Sequence, residues 1–208
     1  MPVTAAASSP NLLVVHPSLP TKTVRDLIAL AKARPGELNY AASPIGSAVH
    51  FAAELMNAMA GVKVALVPYK DAAGALNALI SGEVQLMFSA AGSAMPRLKA
   101  NRIRALAVTS AKSSTLLPGV PTMAVSGQPG FDVEVLYAIL APAGTPPAIV
   151  AALNKAIVQA INQPGTKETF AGAGLEAASG TPEHLAGAIK NEMTTLGAVI
   201  RNAGIKLK

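Results

Sequence analysis

The sequence contains no cysteine. That excludes a disulfide framework, a thiolate zinc site, an iron–sulfur cluster and a cysteine nucleophile. It contains no tryptophan, and aromatics make up only 3% of its 208 residues, which argues against an aromatic-lined sugar or base site. Charged residues are sparse at 13%, but the hydrophobic fraction is 51%, so the chain is not a disordered one. No apolar run approaches the ~20 residues of a membrane-spanning helix. Met1 to Ala5 lacks a basic n-region and a long h-region, so the chain as written carries no signal peptide.

What is present is alanine, together with a basic balance. Small side chains suit helices packed closely on a sheet. Seventeen Lys and Arg against eleven Asp and Glu give a net charge of +6, which fits either nucleic acid or a small anion. The densest cationic cluster is Arg97, Lys99, Arg102 and Arg104. It reads as a solvated rim. With no basic tail and no aromatics among the Lys and Arg residues, no nucleic-acid partner is expected. At roughly 150 residues per domain, the length allows one large domain or two small ones.

A strand-and-helix rhythm fills the first two thirds of the chain. Asn11 to His16 reads as a strand, followed by a helix opened by Thr23 with Asp26 as its capping-box partner. Strands over 38–41, 62–67, 84–88 and 103–109 then alternate with helices over 47–60, 72–81 and 93–100. Gly61 and Gly82 close two of the helices. Short connections in this order predict an α/β fold of parallel βαβ units with helices on both faces. After a proline-rich stretch and a strand over 131–140, the pattern becomes helical. Thr145-Pro146-Pro147 and Thr181-Pro182-Glu183 each predict a helix start, with Thr as the N-cap and Pro at the first position. Two long amphipathic helices joined by one small strand are expected there.

Ligands of such sheets bind outside the carboxyl ends of the strands, where helices begin. The loop Ser43-Pro44-Ile45-Gly46-Ser47-Ala48-Val49-His50 combines small hydroxyls, a glycine and a histidine one turn into a helix. Ser43 and Ser47 are equally placed to act as plain caps, and His50 to be a structural histidine. A second loop holds Tyr69, Lys70, Asp71 and Ala72, and a third Ser89 and Ala90. A tyrosine hydroxyl and a lysine ammonium at a helix start suit an anion. Dinucleotide, phosphate-loop, zinc-protease and nucleophile-elbow motifs are absent. The three histidines, His16, His50 and His184, show no metal-ligand spacing. The expectation is therefore a binding protein rather than an enzyme, with no catalytic residue, metal or cofactor. A cytoplasmic small-molecule-sensing domain of a regulator and a small α/β enzyme using Asp71 or His50 stand as alternatives.

These loops resemble the substrate-binding proteins of tripartite tricarboxylate transporters, the Bug family. The resemblance runs through Val15-His16-Pro17-Ser18-Leu19-Pro20, Ala33-Arg34-Pro35-Gly36-Glu37-Leu38, Gly46-Ser47-Ala48-Val49-His50 and Val67-Pro68-Tyr69-Lys70. It continues through Arg104 to Ser110, Leu117 to Thr122, Leu140 to Pro146 and Ala203-Gly204-Ile205. It implies a periplasmic-binding-protein-like fold of the type II, Venus-flytrap kind, with the parallel-sheet second lobe intact and most of the first lobe absent. Residues 1–8 would be a remnant of the first lobe or a hinge, 9–140 the second lobe, and 141–208 the helical segment completing the first. It implies a periplasmic receptor for a mono-, di- or tricarboxylate or an aromatic acid, with membrane transporter subunits as partners. The ligand contacts so implied are Ser43, Gly46, Ser47, His50, Tyr69, Lys70, Asp71, Ala72, Ser89, Ala90 and Tyr137. The pattern also implies an N-terminally truncated chain, cytoplasmic if translated as given, with impaired capture. Apolar stripes on its C-terminal helices would then permit a homodimer.

Overall fold

The computed structural model describes residues 1–203, of which 198, 199 and 201–203 are described by backbone alone. The chain divides into two compact units. One is Met1–Ser9 with Val135–Ala198, and the other is built on Pro10–Glu134. Strand β1 (Pro2–Val15) runs through both. The expected strand began only at Asn11. The small residues of 4–9, which give no apolar alternation, hide its first half.

The second unit is the sheet unit. Its elements are α1 (Val24–Ala33), β2 (Asn39–Ala42), α2 (Ala48–Ala60), β3 (Ala65–Pro68), α3 (Ala72–Ser81), β4 (Leu86–Ala90), α4 (Ala91–Lys99) and β5 (Arg104–Val108). The strand order is β3-β2-β4-β1-β5. β2 is parallel to both β3 and β4, as the βαβ rhythm requires. β1 runs against β4 and β5, which corrects the expectation of an all-parallel sheet. The reason lies in the connection to β2. Val15 pairs with Leu86 and Tyr40 pairs with the same Leu86. The segment between β1 and β2 therefore leaves and re-enters at one edge of the sheet and is no crossover.

Alternation along the strands feeds two cores. Leu13, Val15, Tyr40, Ala42, Leu86 and Phe88 face α1 and α2, where Val24, Leu27, Ala52 and Met56 meet them. Leu12, Val14, Ala41 and Met87 face α3 and α4, where Ala75, Leu79, Ala91 and Ala94 pack. Helices thus cover both faces, as expected. The Thr23 capping box forms, with Asp26 N–H donating to the Thr23 hydroxyl at 3.1 Å and Thr23 N–H to the Asp26 carboxylate at 2.9 Å. Gly61 and Gly82 end their helices in the left-handed region. Arg104 departs from the solvated-rim reading. Its guanidinium donates to the carbonyls of Pro17, Leu19 and Thr21, tying down the loop after β1. Arg97, Lys99 and Arg102 are exposed.

The first unit holds β6 (Glu134–Leu140), α5 (Pro147–Ile161), α6 (Pro164–Gly172), β7 (Glu176–Ala177) and α7 (Pro182–Ala203). β6 and β7 both pair with β1, and Ala7 lies opposite Ala177. Because β6 pairs there, the boundary falls at Glu134 rather than at the expected residue 140. A third helix, α6, interrupts the expected pair, with Pro164 at its first position. Thr181 caps α7 by accepting from His184 N–H at 3.2 Å. Thr145 does not cap α5. Its hydroxyl turns back to the Pro142 carbonyl, and Pro146 holds the cap position. Ala203, at the end of α7, opens a stretch whose remaining residues, Gly204 and Ile205, lie outside the described residues.

Thr109 ties the ends of the sheet unit together. Its N–H donates to the Asn11 carbonyl at 2.9 Å, and its carbonyl accepts from Val133 N–H at 3.0 Å. Its fully buried hydroxyl accepts from Asn11 N–H at 3.0 Å and donates to the Val133 carbonyl at 2.6 Å. Thr109→Val keeps the shape and orphans both backbone groups. Urea unfolding should show a loss of about 1–3 kcal/mol, and an unchanged midpoint would remove this role for the hydroxyl.

Candidate functional site

Four strands of the sheet unit point the same way, so their carboxyl ends form one edge. Along it lie Tyr69 after β3, Ser43 after β2, Ser89 and Ala90 at the end of β4, and Thr109 after β5. The reversed β1 starts at the same edge, with Asn11 opposite Ala90. Ten of the eleven expected contacts therefore share one edge. Tyr137 lies on β6 in the other unit, where it is exposed.

The three helix starts at this edge differ in how they are satisfied. At α3 the Asp71 carboxylate accepts from Gly74 N–H at 2.7 Å. This is an N-cap with an anion already in place. At α2 the cap position is Ser47, but no side chain bonds the first turn. At α4 the cap position is Ala90, which has no side-chain acceptor to offer. The expectation of Ser43 and Ser47 as plain caps thus fails in detail. The Oγ atoms of both are buried without a hydrogen-bond partner, and Ser43 as a whole is 6% exposed. Buried hydroxyls without partners are uncommon and unfavourable. Ser89, also buried, only reaches the Ala90 carbonyl at 3.4 Å.

The loop before α2 is held from below. Gly46 adopts φ +85°, a region that disfavours side chains, and its N–H donates to His50 Nδ1 at 3.0 Å. The His50 ring stacks with Tyr40, at 6.4 Å and 22°, and with Phe51, at 6.1 Å and 30°. The Tyr40 hydroxyl donates to Glu54. Burial first, then that carboxylate, pushes the Tyr40 phenol far above its ordinary range. His50 thus supports the loop and presents no free nitrogen at Nδ1. The second loop is likewise committed. The Tyr69 hydroxyl donates to Glu83 at 2.8 Å, Lys70 is exposed, and Ala72 is the first residue of α3.

Among the described residues, no group of three or more His, Asp or Glu side chains is placed to hold a metal ion. Sequence reasoning missed Asn11. Its side chain is 0% exposed, and neither Oδ1 nor Nδ2 has a partner. The available signal was a single polar residue opening an otherwise apolar strand.

Burial holds His50 below its ordinary value, against a smaller opposing pull from Glu54. The folded state therefore favours neutral His50, and its contribution is full above the unfolded value near 6.5. It is lost as pH falls through the lower folded value. Thermal melts from pH 7.5 to 5 should show wild type weakening relative to His50→Asn, whose amide accepts from Gly46 without titrating. Parallel pH curves would contradict this.

Known proteins match the chain along its length. The model of the tripartite tricarboxylate transporter family receptors, TctC, matches residues 1–205. Protein BugT of Bordetella pertussis is 35% identical over 208 residues, covering all of this chain and 64% of BugT. A protein from the tcbD–tcbE intergenic region of a Pseudomonas species is 37% identical over 193 residues, 92% of this chain and 57% of that protein. The chain thus spans 57–64% of the length of these two curated relatives. Among solved structures, an R. palustris protein with adipate superposes with a TM-score of 0.83 at 37% identity, over 98% of this chain and 68% of that one. MatC from Rhodopseudomonas palustris, with bound malate, gives 0.77 at 27% identity, over 96% and 69%. The periplasmic binding protein BugD gives 0.79 at 27%, over 100% and 70%. The fold is the periplasmic-binding-protein fold that the resemblance implied. With its match running from the first residue to 205, the chain belongs to the tripartite tricarboxylate transporter family of receptors.

Proposed function

We propose that this chain carries the carboxylate-binding edge of an extracytoplasmic receptor, one that captures a small carboxylate for a tripartite membrane transporter. One observation carries the reading. Two helices that begin at neighbouring strand ends, α2 and α4, have first turns that no side chain caps. Free N–H groups and the positive end of a helix dipole favour an anion. The neighbouring α3 supplies an internal comparison, because its start is filled by the carboxylate of Asp71. The partnerless hydroxyls of Ser43 and Ser47 add donors beside α2.

On this reading Ser43, Gly46, Ser47, Ser89 and Ala90 line the anion site. Lys70 and Ala72 lie at its rim, and His50, Tyr69 and Asp71 act through the loops they brace. Mono-, di- and tricarboxylates and aromatic acids are the ligand class. Relatives solved with adipate and with malate support it. A periplasmic location is supported by BugD, described as a periplasmic binding protein, and the transporter partner by the family's description. Binding without turnover is the role.

A homodimer through the C-terminal helices belongs to the same reading, supported by Ile149, Leu153 and Met193 at 50%, 41% and 72% exposed. Light scattering should then give twice the chain mass, falling to the single mass in an Ile149→Glu, Leu153→Glu double variant. A single mass for wild type at every concentration removes the dimer.

Carboxylate capture is tested by amide NMR, which also reads weak binding. Titration with adipate or malate should give saturable shifts at Ala48, Val49, His50, Ala91 and Gly92, with Gly74 and Ala75 unmoved. Shifts confined to surface lysines and arginines, or none at α2 and α4, would overturn the proposal.

A further inference from the structure

Anion binding at α2 and α4 leaves one polar group at this edge unused, the carboxamide of Asn11. The residue is completely buried, and both polar atoms of its side chain lack partners. A buried amide in that state forfeits its water and gains nothing in return. The fold does not need it, because the Thr109 contacts engage only the Asn11 backbone. Its position is at the edge already described. Asn11 pairs with Ala90, the cap residue of α4. Alternation along β1 puts its side chain on the face of Leu13 and Val15, the face packed by Ala52, Ala53 and Met56 of α2.

A carboxamide offers one acceptor and two donor hydrogens, with one of each along a single edge. A plain carboxylate has only acceptors, so it answers Nδ2 and leaves Oδ1 unpaired. Of the hydroxyls at this edge, those of Ser43 and Ser47 have no protein partner and are taken up by the carboxylate on the receptor reading. Thr109 donates to Val133, and Ser89 is turned to the Ala90 carbonyl. The missing donor must therefore come with the ligand. A 2-hydroxycarboxylate carries a carboxylate oxygen and a hydroxyl hydrogen on adjacent carbons, which together complement the carboxamide edge as a two-point contact. A 2-ammonium group would also donate. It would, however, sit near the positive ends of two helices, and the carboxylate at this edge, Asp71, is already bound to Gly74.

Resting on the carboxylate-receptor reading, we propose that Asn11 is a specificity-determining residue that selects 2-hydroxycarboxylates over carboxylates lacking the hydroxyl. Malate, succinate and aspartate, which differ only at that carbon, are the probes, and the amide shifts of α2 and α4 are the readout. Wild type should bind malate about tenfold more tightly than succinate, the worth of one net hydrogen bond. Aspartate should do no better than succinate. In the near-isosteric Asn11→Leu variant, malate should fall to the level of succinate while succinate changes less than about twofold. Its melting temperature should not fall, since an orphaned polar pair is replaced by apolar atoms. Asn11→Ser, too short to span both ligand groups, should also lose the preference and serves if the leucine variant does not fold. A malate preference that survives both substitutions overturns the proposal. So does equal malate and succinate binding in wild type, the result expected if a water takes the place of the hydroxyl. Aspartate binding as tightly as malate overturns the choice of hydroxyl. Unmoved α2 and α4 amides with every probe would overturn the receptor reading and this proposal together. Binding without hydroxyl preference overturns this proposal alone.

Discussion

The direction of β1 is the constraint on which the sheet unit depends. Leu12, Leu13, Val14 and Val15 are each 0% exposed and supply both cores, alternating between them. A strand lodged between β4 and β5 cannot shift register without turning its whole apolar set to the wrong face. Because it runs against its neighbours, its beginning falls where their ends fall. That places Asn11 among the loops at the carboxyl ends of the parallel strands, a place no βαβ crossover would have given it. Thr109 holds the arrangement with its backbone and its hydroxyl.

The edge so formed is electrostatically uneven, and the unevenness is local. Three helices start there, and only α3 is closed by its own sequence. Replacing a good cap by alanine costs about 1 kcal/mol in typical helices. The chain forgoes that stabilisation at α4, where alanine stands at the cap, and at α2, where the serine is present but does not cap. Ser43, Ser47 and Asn11 add unmet hydrogen bonds at the same place. Native proteins concentrate such departures at functional sites. A sheet edge shaped only for stability would have spread them or removed them.

Much of this architecture was legible in the sequence, and the illegible parts share a cause. The alternation of strands and helices, the Thr23 capping box and the glycine stops at 61 and 82 are local signals, and the structure keeps them. The loop at 43–50 was also legible, because small residues between a strand and a helix are a local pattern. What did not read through depends on partners distant in sequence. The reversal of β1 is set by strands beginning more than seventy residues later. Arg104 looked like rim charge because its carbonyl partners lie at 17–21. Tyr69 read as an anion contact because Glu83, the partner of its hydroxyl, follows a whole helix later. Asp71 was assigned to a ligand site although its cap partner, Gly74, lies three residues on. There the local pattern was present, and the functional expectation overrode it.

An uncapped helix start needs its loop held by other means, and the residues beneath α2 supply them. The Gly46 N–H is fixed to His50 Nδ1, so the loop is latched to the helix it precedes. The imidazole in turn stacks with Tyr40 and with Phe51, and the Tyr40 hydroxyl is anchored to Glu54 one turn further along. A histidine at this position thus supplies, through its side chain, the rigidity that a capping hydroxyl would have given. The first-turn N–H groups are left unoccupied. Preorganisation of this kind lowers the ordering cost of binding. It also accounts for a low aromatic content that is placed rather than scattered. Two of the chain's seven Tyr and Phe residues, Tyr40 and Phe51, brace this one helix start.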